Sequence, residues 1–355
     1  MGLAAPAAHD WDRLARRAKA RRKTTQALLI GFLVVVSAPV MLPYFWMLTI
    51  SFSARTGGVE ALVLWRACAV LMPAVFAFAL LRVLVRNAGL RLAGNLAIAA
   101  IALVVIAVSI GGDLHGTNWR FLWTRDVVEE LRGQSVAGGE QFPWVWTALL
   151  NSLVIAVAQT IIVVGVATLA GYYISRFRFR GRAGFLKWLL VLHAIPAMTL
   201  VIPIFLMMHW TGLLNTLIGV ILVIGTLELP FAIFIMKGFF DAVPWEVEMS
   251  AMTDGASRRQ AFLRIMLPQV KFGIIAIAVF AFIKGWEEYV FVRTLLFDKS
   301  NWVMSLYLFW VSDDIMGVDY GIVAAVAVFY ILPSLLLYVF CQRFLAQLTL
   351  GGIKG

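Results

Sequence analysis

The chain has 355 residues, of which 62% are hydrophobic and 14% charged, with a mean hydropathy of +0.90. A soluble domain of this size cannot hide so much apolar surface, so composition excludes a soluble globular protein and gives an integral membrane class. The formal net charge of +11 raises nucleic acid as a partner, but membrane proteins accumulate Lys and Arg in cytoplasmic loops, so the position of the charges has to decide.

A basic arm, residues 1–27, contains "RLARRAKARRK" and precedes the apolar run Leu28–Ile50. That run exceeds the roughly 7–15 residues of a signal-peptide core, so it reads as a retained first span. A bilayer core of about 30 Å needs about 20 helical residues. The further candidate spans are Ala61–Val83, Leu92–Ile110, Ala148–Ile174, Phe185–Met208, Leu213–Met236, Phe272–Phe291 and Tyr320–Phe344. They are continuous apolar runs and not the short alternating segments of a β-barrel. The expectation is an all-α polytopic membrane protein with eight transmembrane helices. Two of these, within 51–111, come before an external loop at 112–147. A core follows at 148–345, then a tail at 346–355.

Basic residues follow this topology. With the N-terminus in the cytoplasm, that side carries Arg13, Arg16, Arg17, Lys19, Arg21, Arg22 and Lys23. Arg82, Arg86 and Arg91 follow the second span. Arg176, Arg178, Arg180, Arg182 and Lys187 follow the fourth. Lys237, Arg258, Arg259, Arg264 and Lys271 follow the sixth, and the tail has Arg343 and Lys354. Most of the 30 basic residues thus share one side, which predicts that both termini are cytoplasmic and explains the basic charge without nucleic acid. The arm suits anionic lipid headgroups. The outer loops are Gly111–Thr147 and Phe297–Asp319, the latter with Asp298, Asp313, Asp314 and Asp319.

Cys68 and Cys341 stand far apart in apolar runs and read as small buried hydrophobes. No His, Cys and Asp cluster has metal-ligand spacing, and His193 and His209 read as packing residues. Asn151 reads as a helix cap, Pro196 and Pro203 as kinks in the fifth span. Trp46, Trp144, Trp146, Trp188 and Trp210 read as interfacial anchors.

The largest predicted cytoplasmic loop is 239–271. In it, Pro244 suits the first turn of a helix that runs to about Asp254. Gly255 breaks the run, Ser257 is a second N-cap, and Pro268 is expected to end the second helix. Two short helices hinged at Asp254-Gly255 can dock on a soluble partner and pass its motion to the spans.

The stretch "PWEVEMSAMTDGASRRQAFLRIMLP" resembles the cytoplasmic loop of permease subunits of ABC-type importers. The pattern of that loop is Glu-Ala-Ala, a Gly six residues after the Glu, and Ile-x-Leu-Pro past nine more. Ala251, Gly255, Ile265, Leu267 and Pro268 fall on it. Met249 occupies the Glu position and Ser250 the first Ala, with Glu248 one residue early. "NSLVIAV", "GYYISRFRFRGR", "LPFAIFIMKGFFDAVP", "GWEEYVF" and "LGGIKG" are similar to the carbohydrate-importing branch, in particular to the second membrane subunit of maltose-type systems. Such subunits usually have six spans, which marks Ala61–Ile110 as an addition.

The resemblance implies a type I importer permease core in a bacterial inner membrane. It implies a second permease subunit, a cytoplasmic ATPase dimer that holds the ATP and Mg, an external substrate-binding protein and a carbohydrate cargo. The ATPase-coupling residues would be Glu246, Glu248, Met249, Ala251, Asp254, Gly255, Ile265, Leu267 and Pro268. This chain lacks Gly-x-x-x-x-Gly-Lys-Ser/Thr and is expected to hydrolyse nothing itself and to hold no cofactor or metal.

Ionisable residues inside spans are costly and default to functional candidates. Glu228 in "TLELPF" is followed by Pro230, which frees the Thr226 carbonyl. Lys284, Trp286, Glu287 and Glu288 fall in or near the seventh span. An aromatic face beside carboxylates suits a polyhydroxyl solute, so these five residues are the candidate substrate pathway. The resembled family often has Asn near the positions of Glu228 and Glu287, which favours a polyhydroxyl or cationic cargo over an anionic one. The competing structural reading pairs Lys284 with Glu288 at helical spacing. A proton-coupled secondary transporter that uses Glu228, Glu287 and Glu288 is the alternative function. A scaffold without transport has no reason to carry those acids.

Overall fold

The computed structural model describes residues 8–53, 61–85, 87–111, 115–125, 143–312 and 319–351, and every regular element among them is helical. Among the described residues six helices are long and apolar enough to cross a membrane. Two bent pairs bring the number to as many as eight if each counts as one span. The chain divides into two compact units. The first contains residues 1–120 and 319–328, the second 121–318 and 329–355.

In the first unit α1 (Ala8–Ser51), α2 (Ala61–Leu84) and α3 (Ala88–Ile110) pack in chain order. The Asn87 side chain caps α3 by accepting from the amides of Gly89, at 2.9 Å, and Leu90, at 3.4 Å. The end of α1 is fastened by Asn118, whose amide donates to the carbonyls of Ser51 at 3.2 Å and Ser53 at 2.9 Å.

The second unit is built on α4 (Val145–Arg176), α7 (Leu217–Asp241) and α10 (Lys271–Glu287). Small residues let these helices approach. A Cβ on Gly171 of α4 would lie 2.7 Å from the Met236 Cβ and 2.9 Å from the Lys237 nitrogen of α7. A Cβ on Gly285 of α10 would lie 3.0 Å from the Ala156 Cα of α4. Apolar chains have no water to flee inside a bilayer, so close packing and interhelical hydrogen bonds hold such bundles. The buried Gln159 of α4 supplies one of these bonds, donating to the Ala281 carbonyl of α10.

Four expectations are corrected. The fifth span is two helices, α5 (Arg182–Ala194) and α6 (Val201–Trp210), with an 88° bend across a break that opens at Ile195 and Pro196. Pro196 creates the break because it has no N–H to donate. Pro203 sits in the first turn of α6, where a missing N–H costs nothing. The seventh span stops at Glu287. Glu288 is extended, and its carboxylate accepts from the Phe291 amide at 3.0 Å, so it caps the short α11 (Val290–Leu295). Asn151 is not a cap. It lies inside α4 and donates to the carbonyls of Ser300 and Trp302, each at 2.9 Å. The segment after α11, expected as an outer loop, is not plain loop, since it contains α12 (Met304–Ser312). α13 (Tyr320–Gly351) completes the chain and is opened by Asp319, whose side chain accepts from the Gly321 amide. Asp313, Asp314, Arg86 and most of the 112–147 loop lie outside the described residues.

Candidate coupling loop and intramembrane polar cluster

α7 ends at Asp241, and the chain turns through Val243 and Pro244 into α8 (Trp245–Thr253). Gly255 has φ +93°, the left-handed region that only glycine enters freely, and a Cβ there would meet nothing within 4 Å. The residue is therefore required by its backbone angle and not by crowding. Ser257 and Gln260 form a reciprocal capping box that starts α9 (Arg258–Gln269). The two-helix hairpin inferred from sequence is present and turns at the glycine.

Pro268 does not end the second helix, which continues to Gln269, and the break falls at Val270. The reason is the wide π turn over Ala261–Met266, where the Leu267 amide reaches back five residues to the Phe262 carbonyl. A proline ring clashes with the carbonyl four residues earlier in a regular α-turn, and the wider turn relieves that clash. α9 then meets α10 at 72°.

The hairpin has an inner and an outer face. Ala261, Met266 and Val270 are buried, and Phe262 packs against Tyr172 and Phe240. The outer face exposes Trp245, Glu246, Ser250, Asp254, Arg258, Arg259 and Leu263. Met249, Ala251, Ile265 and Leu267 lie half-buried between them, and Pro268 is exposed.

Glu248 differs from the other loop residues singled out in the sequence. It is 2% exposed and turned inward. Its Oε1 accepts from the Tyr172 hydroxyl at 2.5 Å, and its Oε2 stands 3.0 Å from Arg176 Nε. That second contact is an ion pair without hydrogen-bond alignment, because neither Arg176 Nε nor Glu248 Oε2 has a hydrogen-bond partner. Arg176 also donates to the Val243 carbonyl at 2.8 Å and lies over the Trp245 ring. Glu248 thus fastens α8 to the end of α4 and has no surface to offer a partner. Sequence spacing did not signal this. The clue was Tyr172 and Arg176, four apart on one face of α4.

Of the five pathway candidates, three lie near one another: Glu228, Lys284 and Glu288. Glu228 on α7 lies within electrostatic reach of Lys284, Glu288 and His193, and His193 stacks on Phe231 at 5.1 Å. Lys284 and Glu287 are exposed and Glu228 is partly so. No ion pair joins Lys284 to Glu288, whose carboxylate caps α11 instead. Trp286 is 2% exposed and enclosed. Its ring stacks between Phe282 and Tyr330, its indole donates to the Tyr330 carbonyl, and the Tyr330 hydroxyl donates back to the Trp286 carbonyl. It presents no face to a solute in this structure and instead braces α10 against α13.

Residues 162–349 match the family described as binding-protein-dependent transport system inner membrane component. The chain is 34% identical over 211 residues to the diacetylchitobiose uptake system permease protein DasC of Streptomyces coelicolor, covering 59% of this chain and 76% of that one. It is 33% identical over 247 residues to the inner membrane ABC transporter permease protein YcjP of Escherichia coli, covering 68% and 85%. The galactooligosaccharides transport system permease protein GanQ of Bacillus subtilis is 33% identical over 190 residues, covering 53% and 67%. A chain in the crystal structure of a bacterial ABC transporter involved in the import of the acidic polysaccharide alginate superposes with a TM-score of 0.60. It does so over 92% of this chain and 97% of that chain, at 18% identity, which shows a shared fold. A hairpin that turns at Gly255, a helical membrane core and these relatives agree: the chain belongs to the binding-protein-dependent transport system inner membrane component family, the permease subunits of ABC importers.

Proposed function

We propose that this chain is one of two permease subunits of an ATP-driven importer for a carbohydrate, and that the hairpin of α8 and α9 is its docking element for a separate ATPase. The observation that carries the reading is the two-faced hairpin. One face is locked to α4 and α7 through Tyr172, Phe240 and Phe262, and the other is open and carries charges of both signs around Gly255. A partner that grips the open face moves α4 and α7 with it, because the inner face is packed against them.

The carbohydrate assignment rests on the relatives, whose names specify diacetylchitobiose and galactooligosaccharides, and on the cluster of Glu228, Lys284 and His193, with Glu287 exposed on the same helix as Lys284. Carboxylates and an ammonium group that stay exposed within spans need a polar neighbour. A second permease subunit and the hydroxyls of a passing sugar supply one. The mixed charge favours a neutral or amino sugar over an acidic one. An external binding protein delivers the cargo, and both termini lie in the cytoplasm. Family membership removes the motive for the proton-coupled alternative.

Affinity purification of the tagged full-length chain in a mild detergent tests the proposal. The expected result is co-purification of an ATPase and a second permease, with ATP-driven sugar uptake after reconstitution. Uptake driven by a proton gradient without ATP overturns it.

A further inference from the structure

A second polar feature lies at the membrane face where α4 and α7 end. A cavity of about 550 Å³ is lined by Arg178, Phe179, Gly181, Arg182, Leu186 and Lys237, among others. None of its lining residues belongs to the hairpin or to the Glu228 cluster, although Phe179 and Leu186 pack on the core that the hairpin shares. We propose that this cavity seats the phosphate of an anionic phospholipid, whose chains run along α5.

The cations of the cavity are poorly satisfied by the protein. Lys237 is paired with Asp241, which also accepts from the Ser175 hydroxyl at 2.6 Å. Arg182 makes only a long donation of 3.5 Å to the Ser175 carbonyl. Arg178 is exposed, with no hydrogen bond or ion pair among the described residues. Three cations thus converge where one carboxylate is present. Arg182 also opens α5, a helix with no acid in its first turn. A cation there meets the positive end of the helix dipole, so the arrangement repels itself until an anion enters. A phosphate diester fits, because arginine forks bind its oxygens in pairs.

The surroundings select a lipid over a soluble phosphate. From the cavity α5 presents Phe185, Trp188 and Leu192 outward, at 44%, 65% and 50% exposure. A charged cavity that continues into an apolar, outward-facing helix surface matches an amphiphile with an anionic head. Basic pockets between spans on the cytoplasmic side bind such heads. In the importer, a lipid held there bridges the end of α7 and the start of the bent α5–α6 pair.

The test uses the full-length chain with its co-purifying subunits, reconstituted in nanodiscs of phosphatidylglycerol and phosphatidylcholine in equal parts. Lipid retained after transfer to detergent is counted by native mass spectrometry. The expected result is roughly tenfold enrichment of phosphatidylglycerol, falling about fivefold for each arginine neutralised in R178Q and R182Q. The R178K/R182K variant, which keeps the charge and loses the forks, should fall between the wild type and R178Q/R182Q, and R293Q, which removes a charge elsewhere, should keep all of the enrichment. Equal retention of the two lipids by the wild type overturns the proposal. So does equal enrichment in R178Q/R182Q and wild type. Loss of bound phosphatidylglycerol on adding millimolar inorganic phosphate at constant ionic strength would make the cavity a soluble-phosphate site and overturn the lipid assignment.

Discussion

The Tyr172 hydroxyl donates to Glu248 across 76 positions of sequence, at 2.5 Å, and with Arg176 it ties the hairpin of α8 and α9 to the last turns of α4. The link is buried, with Arg176 and Glu248 side chains 6% and 2% exposed. Motion imposed on α8 therefore reaches α4 through a charged contact that water cannot loosen. From spacing alone, Glu248 stands one residue before the family's acid position, which Met249 occupies, and was expected among the residues that meet the ATPase.

The buried geometry reverses that expectation. Glu248→Ala leaves the Arg176 guanidinium without its counter-charge, a loss of about 3–5 kcal/mol for a buried pair broken on one side. Glu246→Ala, on the exposed face, should leave stability unchanged and weaken ATPase association. Thermal unfolding in detergent beside co-purification separates the two. Equal unfolding temperatures for both variants would count against the fastening role.

Gly255→Val should insert and pack normally, since no neighbour lies within 4 Å of the new Cβ, yet lose transport. The cost is the left-handed backbone, about 1–2 kcal/mol for an ordinary residue and more for a β-branched one. Gly255→Asn should retain most activity, because asparagine tolerates that region. Uptake rates of the two variants side by side give the answer. Equal impairment would point to a need for the missing side chain rather than for the angle.

Glu228→Gln and Glu287→Gln should raise the KM for sugar severalfold while the protein remains folded, because both carboxylates are at least partly open to solvent. Trp286→Phe should act differently. It keeps the stacking and loses the hydrogen bond to Tyr330, so stability should fall by about 1 kcal/mol with KM unchanged. Uptake kinetics in proteoliposomes, with melting curves of the same preparations, distinguish cargo contact from bracing.

Gly171→Ala should destabilise the second unit by about 1–3 kcal/mol. The added methyl falls 2.7 Å from the Met236 Cβ and 2.9 Å from a backbone nitrogen of α7, and neither can swing away. Gly165→Ala, on the same helix and with nothing within 4 Å, should be neutral or slightly stabilising. Fluorescence-detected gel filtration after a heat ramp compares them.

Much of the fold was legible because bilayer thickness imposes a length on apolar runs, and runs such as Leu28–Ile50 and Ala148–Ile174 have it. The hairpin was legible because Pro244, Gly255 and Ser257 each act through their own backbone chemistry. The break at Ile195-Pro196 was half legible: proline announced a disturbance, but no local residue announced an angle of 88°. The enclosure of Trp286 was not legible at all, since its partner Tyr330 lies 44 positions away. For Glu288 only the competing reading is affected: a pair with Lys284 presupposed a continuous helix, and the helix ends at Glu287, between the two.

The wide turn at Ala261–Met266 gives α9 one residue more than regular winding would use over the same length. In a regular helix, deleting a residue rotates everything beyond it by about 100°. Here a single-residue deletion would tighten the turn to ordinary pitch and leave Leu267 onward facing as before, and would bring the Pro268 ring back against the carbonyl four residues earlier. A family that keeps the spacing from Gly255 to Pro268 would be preserving the turn's width, and with it the angle at which the hairpin presents its open face.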